Sequence, residues 1–390
     1  TARLVSLVLK QEELPKLPGQ LVVYLPWIPQ YGLTRQDDAY WRTRIRSRKT
    51  SRAVASFAFS LLQGKAGSLP PSDEFITCEL VAAVCRLTSE PTDTEEMQVD
   101  TLTITKDDLE GQLRRTVREV YGKYRKPQTS IRKPWKTPSI KAGFFAPRAK
   151  GGILGDIIHR HMKAERTMFY ANSYLQGIIQ TPRGVAELRS PLSHDDVEDI
   201  LEGIWRRALT ADMFCDPVGL TEPFKVRVIT RGSPDIYAAA AWFQKAMWRG
   251  LADKPYSCLV GRPITPDILR SFASLCDTSD GRMFVSADYQ AATDHFDSYL
   301  SEVIVNEICR CQGWPLEVEH LLVRALTRHE IFFNDQFLEQ TKGQLMGSPV
   351  SFPILCIYNL GATRWSLELA NNRKFLLEDL PILVNGDDLG

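Results

Sequence analysis

The sequence predicts an α+β protein. Helical patterning dominates the first half, and from Lys225 onward strand signals appear with helices between them. Near the end, the apolar, helix-like Val350–Leu360 segment gives way to a short strand, Ile382–Val384, and an Asn-Gly turn.

Composition bounds the class before any motif is considered. The chain has 390 residues, 48 basic and 47 acidic, with a formal charge of +1; 44% are hydrophobic and 24% charged, as in ordinary globular proteins. At roughly 150 residues per domain this length suggests two or three domains. The best apolar run, Leu21 to Ile28, is broken by Pro26 and too short to span a membrane. Glu12 and Glu13 come too early for a signal peptide. Eight cysteines without framework spacing fit a reduced intracellular protein. Secreted, fibrous, membrane-spanning and disordered classes are therefore not expected. A start at Thr1 and an end at Gly390 read as those of a fragment.

The near-zero net charge hides segregation. Ser89–Glu110 holds eight acids and one lysine, and reads as a linker or surface insertion. Gln112–Lys150 holds twelve basic residues and one acid, Glu119. A smaller cluster comprises Arg42, Arg44, Arg46, Arg48, Lys49 and Arg52. Such blocks bind phosphate backbones or form solvated faces. Tyr121, Tyr124 and Trp135 interleave the second block and tilt it toward single-stranded nucleic acid. Within it, Arg114–Tyr124 predicts a basic helix ended by Pro127, and Pro127–Pro147 an extended loop. Lys150–Gly155 predicts a glycine-rich turn before a helix over Asp156–Ala171.

Four later segments carry chemistry. In EPFKVRVITRG, period two puts Lys225, Arg227 and Arg231 on one face of a strand, suited to a triphosphate or simply to solvent. In FVSADYQAATD, Met283–Ala287 predicts a buried strand delivering Asp288, with Asp294 close behind. In KGQLMGSPVSFPILCIYNLG, Gly343 and Gly347 bracket a flexible loop. A helix follows with Phe352, Leu355, Cys356, Asn359 and Leu360 on one stripe; its start lies either at Ser348-Pro349 or nearer Pro353. A lone Asn in that stripe needs a polar partner. In PILVNGDDLG, Asn385-Gly386 is hairpin-turn chemistry with Asp387 and Asp388 at its tip. Two carboxylate-bearing strand ends side by side would suit a pair of Mg²⁺ ions about 4 Å apart. Ser298–Cys311 predicts a further helix, and His329–Phe333 with Phe337–Thr341 a hairpin around Asn334-Asp335.

In that order, KVRVITRG, DYQAATD, GQLMGSPVSFP with its later Asn, and GDD resemble motifs F, A, B and C of viral RNA-dependent RNA polymerases. The third motif most resembles the ourmia-like and narna-like positive-strand RNA viruses (Botourmiaviridae), with mitoviruses close by. The resemblance is clear from about Glu222 onward, and PSIKAGFFAPRAKGGILG extends it loosely upstream.

The resemblance implies a right-hand polymerase that copies an RNA template into nascent RNA from NTPs. Residues 1–137 would form an N-terminal extension and fingers region, and 138–280 the fingers, including the basic strand 222–232. Residues 281–390 would form an incomplete, ferredoxin-like palm of antiparallel sheet and helices, without a thumb. Asp288, Asp387 and Asp388 would be catalytic and would hold two Mg²⁺ ions, for which Mn²⁺ could substitute. Lys225, Arg227 and Arg231 would neutralise the triphosphate, and Asp294 and Asn359 would read the ribose 2′-OH. Gly343, Gly347 and Ser348 would form the loop around the nascent pair. The chain stops two residues past Asp388, so the second hairpin strand and everything beyond it are expected to be missing and the fragment inactive. The expected location is the host cytoplasm, or the mitochondrion for a mitovirus-like protein.

Two rivals fit less well. A reverse transcriptase using dNTPs typically carries an aromatic steric gate after its first metal aspartate, where this chain has Ala291-Ala292-Thr293-Asp294. A non-catalytic RNA-binding viral protein would explain the basic blocks but not the three aspartates in register. A zinc module from Cys309, Cys311, His320 and His329 is disfavoured, because i and i+2 on a helix point apart.

Overall fold

The computed structural model describes residues 71–90, 96–99, 102–128, 138–157, 179–181, 184–186, 194–222, 225–252, 254–257, 265–276 and 285–390. Leu21–Ile28, the arginine cluster from Arg42 to Arg52, and Arg132, Lys133 and Trp135 lie outside them. The helices are α1 (Asp73–Thr88), α2 (Lys106–Tyr121), α3 (His194–Thr210), α4 (Pro234–Ala252), α5 (Pro266–Leu275), α6 (Ala292–His295), α7 (Ser298–Gln312), α8 (Leu316–Arg324) and α9 (Ser351–Asn371). The strands are β1 (Glu96–Val99), β2 (Leu102–Thr105), β3 (Ile179–Thr181), β4 (Gly184–Ala186), β5 (Phe214–Glu222), β6 (Lys225–Gly232), β7 (Ala287–Asp288), β8 (Glu330–Phe333), β9 (Gln336–Glu339), β10 (Val384–Asn385) and β11 (Asp388–Leu389). The fold is mixed α+β, as predicted. Beyond Lys225, however, helices outweigh strands among the described residues and most of the strands between them are short, because the apolar periodicity there is mainly that of buried helices.

The chain divides into two compact units. The smaller contains Thr1–Ile76, Thr221–Arg227 and Thr265–Phe284. Its helix α5 starts with Thr265 as N-cap, the hydroxyl accepting from the Ile268 amide, and buries Leu269 and Phe272. The larger unit contains Thr77–Leu220, Val228–Ile264 and Val285–Gly390. Its apolar core is built by α2, α3, α4, α7, α8 and α9. The strands form, among others, a four-stranded sheet in the order β6-β5-β8-β9 and a three-stranded antiparallel one in the order β10-β11-β7. In the first, β5 pairs parallel to β8, and β8–β9 is a hairpin with Phe333 opposite Gln336. Its two loop residues, Asn334 and Asp335, both have positive φ (50° and 60°), which the type I′ turn requires and Asn and Asp tolerate.

The acidic segment and the basic helix are partly re-read. Within the acidic segment, Glu96–Val99 and Leu102–Thr105 pair antiparallel as β1 and β2. Helix α2 begins at Lys106, eight residues before the expected Arg114, because Thr105 and Asp108 form a reciprocal capping box. Asp107 and Asp108 sit in its first turn, where carboxylates offset the helix dipole. The helix ends at Tyr121 because Gly122 takes φ 90°, ahead of Pro127. Likewise the glycine-rich turn becomes helical at residue 152, before the expected Asp156.

Helix α2 is interior rather than solvated. Leu113, Val117, Val120 and Tyr121 are buried at helical spacing. A Cβ at Gly361 of α9 would lie 2.8 Å from Leu113, so glycine there permits the close approach of α2 and α9. Arg364 of α9 is fully buried and donates to Glu119 Oε1 (2.6 Å), the Gln112 carbonyl (3.0 Å) and Thr116 Oγ1 (2.7 Å). Arg115 pairs with Glu368 (2.8 Å) and with Glu119 (3.2 Å). Arg114 and Arg118 converge on the buried Glu307 of α7, at 2.9 and 3.3 Å, and the Tyr124 hydroxyl donates to the same carboxylate (2.6 Å). Three cations of the basic block are therefore internal ion-pair partners.

Cys309 and Cys311 are both buried, and burial raises both thiols' pKa, that of Cys311 to about 11. Among the described residues no group of three His, Cys, Asp or Glu side chains is arranged to hold a metal ion. Nor is any described helix long and apolar enough to cross a membrane.

Two stability measurements check this account. Arg364→Met should destabilise the chain by about 3 kcal/mol, read from the urea midpoint, because it leaves Glu119 and the α2 groups without their shared partner. The buried His329 imidazole is held neutral, its pKa depressed by burial from 6.5 to about 4. The unfolded chain therefore binds the extra proton between those values, so stability is complete above about pH 6.5 and is lost as pH falls toward 4. That loss, of order 3 kcal/mol, should shrink in His329→Phe when the two pH–stability curves are compared.

Candidate functional site

The carboxylate turn is built from behind. Ile382, Leu383 and Val384 are buried, and the Val384 amide donates to the Tyr256 carbonyl (2.9 Å). In the β10–β11 hairpin Asn385 is opposite Asp388 and Val384 opposite Leu389. The turn residues are thus Gly386 and Asp387, one position later than the Asn-Gly pairing suggested. Gly386 takes φ 69°, which favours glycine, and a Cβ there would approach the Phe352 ring to 2.9 Å. Its amide donates to Cys356 Sγ (3.3 Å) and its carbonyl accepts from Asn359 Nδ2 (2.9 Å). Phe352, stacked on Trp248 at 5.2 Å, closes the same side.

The hairpin's second strand is present, contrary to expectation. Leu389 is in β11, and beyond it Leu383 and Gly390 exchange two backbone hydrogen bonds (2.8 and 2.9 Å). Two residues suffice because β11 also pairs antiparallel with β7, placing Asp388 opposite Asp288 and Leu389 opposite Ala287. The strand bearing Asp288 is shorter than predicted: Val285 and Ser286 precede it outside any strand, and Val285 is 71% exposed. Met283 and Phe284 lie outside the described residues. Cross-strand pairing with β11, rather than a long buried strand, fixes Asp288.

Burial raises the pKa of Asp388, and the like charges of Asp387 and Asp288 raise it further. Mutually repelling carboxylates fit a divalent cation, which would relieve that repulsion through hard oxygen ligands. Asp288 and Asp387 thus lie near enough to Asp388 to act on its charge, although the three side chains are not gathered here into a metal-holding group.

The glycine loop lies against this region with little slack. Gly343, at φ 77°, donates to the Phe296 carbonyl (2.8 Å), and its own carbonyl accepts from Ser298 Oγ (2.8 Å). The Gln344 amide donates to the Thr293 carbonyl (2.8 Å). Gly347 donates to Thr230 Oγ1 (3.1 Å), and a Cβ there would overlap the Thr230 carbonyl at 1.6 Å. Ser348 is buried, its hydroxyl accepting from the Val350 amide (3.4 Å). The glycines expected to give freedom therefore sit at close contacts. Helix α9 begins at Ser351, so Pro353 falls in the first turn, where its missing N–H breaks no helical bond.

Asn359 and Asp294 do not pair with each other. Asn359 is buried, donating to Gly386 and accepting from the Thr363 hydroxyl (3.0 Å). Asp294 Oδ2 accepts from Arg86 Nε (3.0 Å), and its Oδ1 from Thr293 Oγ1 (3.3 Å). Sequence reasoning missed Arg86, since ELVAAVCRLT reads as an ordinary helix end with nothing to single out its arginine.

The cationic strand has the predicted parity: Val226 and Thr230 are buried, while Lys225, Arg227 and Arg231 alternate with them. In the smaller unit Lys225 is exposed, and Arg227 pairs with Glu222 (3.0 Å). In the larger unit Arg231 pairs with Asp216, Nε to Oδ1 at 3.0 Å. Burial raises the Asp216 pKa, and the arginine opposes that shift.

No family model matches the chain. Among solved structures, a Sicinivirus 3Dpol RNA dependent RNA polymerase overlaps 79% of this chain and 61% of its own, with 11% identity and a TM-score of 0.40, too low to argue from. Among curated proteins, the RNA-dependent RNA polymerase of Ourmia melon virus (isolate Melon/Iran/VE9) is 33% identical over 391 aligned residues. That alignment covers 93% of this chain, which spans 43% of the length of the curated relative. The chain is thus a relative of a viral RNA-dependent RNA polymerase, that of Ourmia melon virus.

Proposed function

We propose that the chain contributes the nucleotidyl-transfer site of an RNA-templated RNA polymerase. The observation that carries this reading is the β7–β11 register, in which Asp388 stands opposite Asp288 with Asp387 in the adjoining turn. Carboxylates distant in sequence meet there on paired strands, and a turn held by Asn359 and Cys356 leaves them little freedom.

Asp288 and Asp387, with Asp388 beside them, would hold two Mg²⁺ ions. When bound, the ions supply positive charge against the attacking and leaving oxygens of an in-line displacement. The 3′-hydroxyl of nascent RNA gives up its proton to solvent and attacks the α-phosphorus of an NTP; a new P–O bond forms, the α–β bridge bond breaks, and pyrophosphate departs with that electron pair. Arg231, paired here with Asp216, would exchange that carboxylate for a triphosphate, and the resemblance of KVRVITRG gives Lys225 and Arg227 the same charge role. Arginines that trade an internal carboxylate for phosphate keep a charge partner in both states.

Asp294 reads the ribose 2′-OH. Asn359, bonded here to the Gly386 carbonyl and the Thr363 hydroxyl, would join it in contacting the 2′-OH on exchanging one of those bonds. Gly343, Gly347 and Ser348 shape the loop over the nascent pair. The palm, beginning near residue 281, and the fingers upstream of it are the architecture that this reading assigns.

The test is Asp387→Asn in the full-length enzyme. Synthesis with Mg²⁺ should fall at least about a hundredfold, while RNA affinity measured at fixed salt stays within about twofold, since a metal ligand and not a backbone contact is removed. Retained synthesis would overturn the reading.

A further inference from the structure

Helix α1 lies upstream of every motif that carries the resemblance, yet its C-terminal turn is bonded into the site region. The Leu87 carbonyl accepts from the amides of Thr341 (2.9 Å) and Lys342 (3.3 Å), and the Thr341 hydroxyl donates to the Ser89 carbonyl. Gly343 is wedged between α1 and the turn before α7: a Cβ on it would meet Leu87 Cδ2 at 2.7 Å and the Thr293 and Asp294 carbonyls at 2.9 Å each. Gln344 ties the same loop to the Thr293 carbonyl at 2.8 Å. Three segments, 86–89, 293–294 and 341–344, are thereby locked together through backbone groups and close packing.

Out of this frame Arg86 projects its guanidinium onto Asp294, Nε to Oδ2 at 3.0 Å. Both side chains keep some solvent access, 28% for Arg86 and 16% for Asp294, so neither is sealed into the core. Among the described residues the opposite oxygen, Oδ1, has the longer Thr293 hydroxyl contact at 3.3 Å and no other hydrogen bond. A charge-assisted bond to one oxygen fixes the carboxylate's rotation and leaves the other oxygen available as an acceptor.

We propose that Arg86 is a positioning residue for sugar selection, setting the orientation in which Asp294 accepts a hydrogen bond from a ribose 2′-hydroxyl. This rests on the assignment of Asp294 given above. It makes the segment upstream of the recognisable motifs a determinant of NTP-over-dNTP preference. A site built to bond a hydroxyl discriminates only while its acceptor is held in place. Released from Arg86, Asp294 gains rotamers, and the loss falls on the substrate that has the 2′-hydroxyl.

The experiment compares kcat/KM for NTP and for the matching dNTP in the full-length polymerase carrying Arg86→Met, Arg86→Lys, Asp294→Ala or Arg86→Met with Asp294→Ala. Arg86→Met should lower NTP use about tenfold while leaving dNTP use nearly unchanged, narrowing the ratio by about tenfold. Arg86→Lys should restore part of it. The double variant should narrow the ratio no further than Asp294→Ala alone. An equal loss for NTP and dNTP in Arg86→Met, or an unchanged ratio beside a narrowed one in Asp294→Ala, would overturn the positioning role and leave the selector assignment standing. A ratio unmoved by Asp294→Ala would instead overturn the selector assignment, and this inference with it. Should Arg86→Met fail to fold, Arg86→Gln is read by the same criteria.

Discussion

The contact of α2 with α9 through Arg364 is the constraint on which the site rests. An arginine with no solvent access can be tolerated only where carboxylate and carbonyl acceptors surround it, and Glu119, Thr116 and Gln112 supply them. Glu119 also takes the Leu377 amide, and Glu368 takes the Phe375 amide, so the same cluster fixes the chain leaving α9 on its way to the carboxylate turn. One to two turns before Arg364, the same helix presents Asn359 and Cys356 to Gly386. Displacing α9 against α2 would therefore displace the turn that carries Asp387.

The turn itself joins favourable backbone bonding to unfavourable charge. Its backbone is satisfied by side chains of α9 and by pairing with two neighbouring strands, so the geometry does not depend on what the carboxylates bind. The charges do. Asp388 is pushed toward its neutral form by burial and by Asp387 and Asp288. The backbone frame thus holds these carboxylates together although their charges oppose it.

The arginines of the basic block show how far charge counting reaches. By composition, Arg114, Arg115 and Arg118 belonged to a block suited either to a phosphate backbone or to a solvated face. In the structure they are ion-paired to Glu307, Glu119 and Glu368, acids that lie nearby on α2 or far along the chain. The segregation in sequence reflects where the helices meet, since a basic helix packed against acid-bearing helices balances charge only after folding.

Local chemistry determined much of this protein. The Asn334-Asp335 hairpin, the parity of Lys225, Arg227 and Arg231, the helix bearing Asn359 and the adjacency of Asp387 to Asp388 all follow from spacings of a few residues, where the backbone leaves few options. Pairings across long stretches of chain were decided only by the tertiary fold. Strand register sets Asp388 opposite Asp288, yet the strands are two residues long and carry almost no periodic signal of their own. Asn359 finds the Gly386 carbonyl rather than Asp294 because any buried acceptor satisfies an amide, and only packing says which one is near. Arg86 reaches Asp294 across 208 positions by virtue of a helix end whose sequence is unremarkable. Local rules choose the elements; which side chains meet depends on how their buried faces and backbone bonds are jointly satisfied, and that is a property of the whole chain.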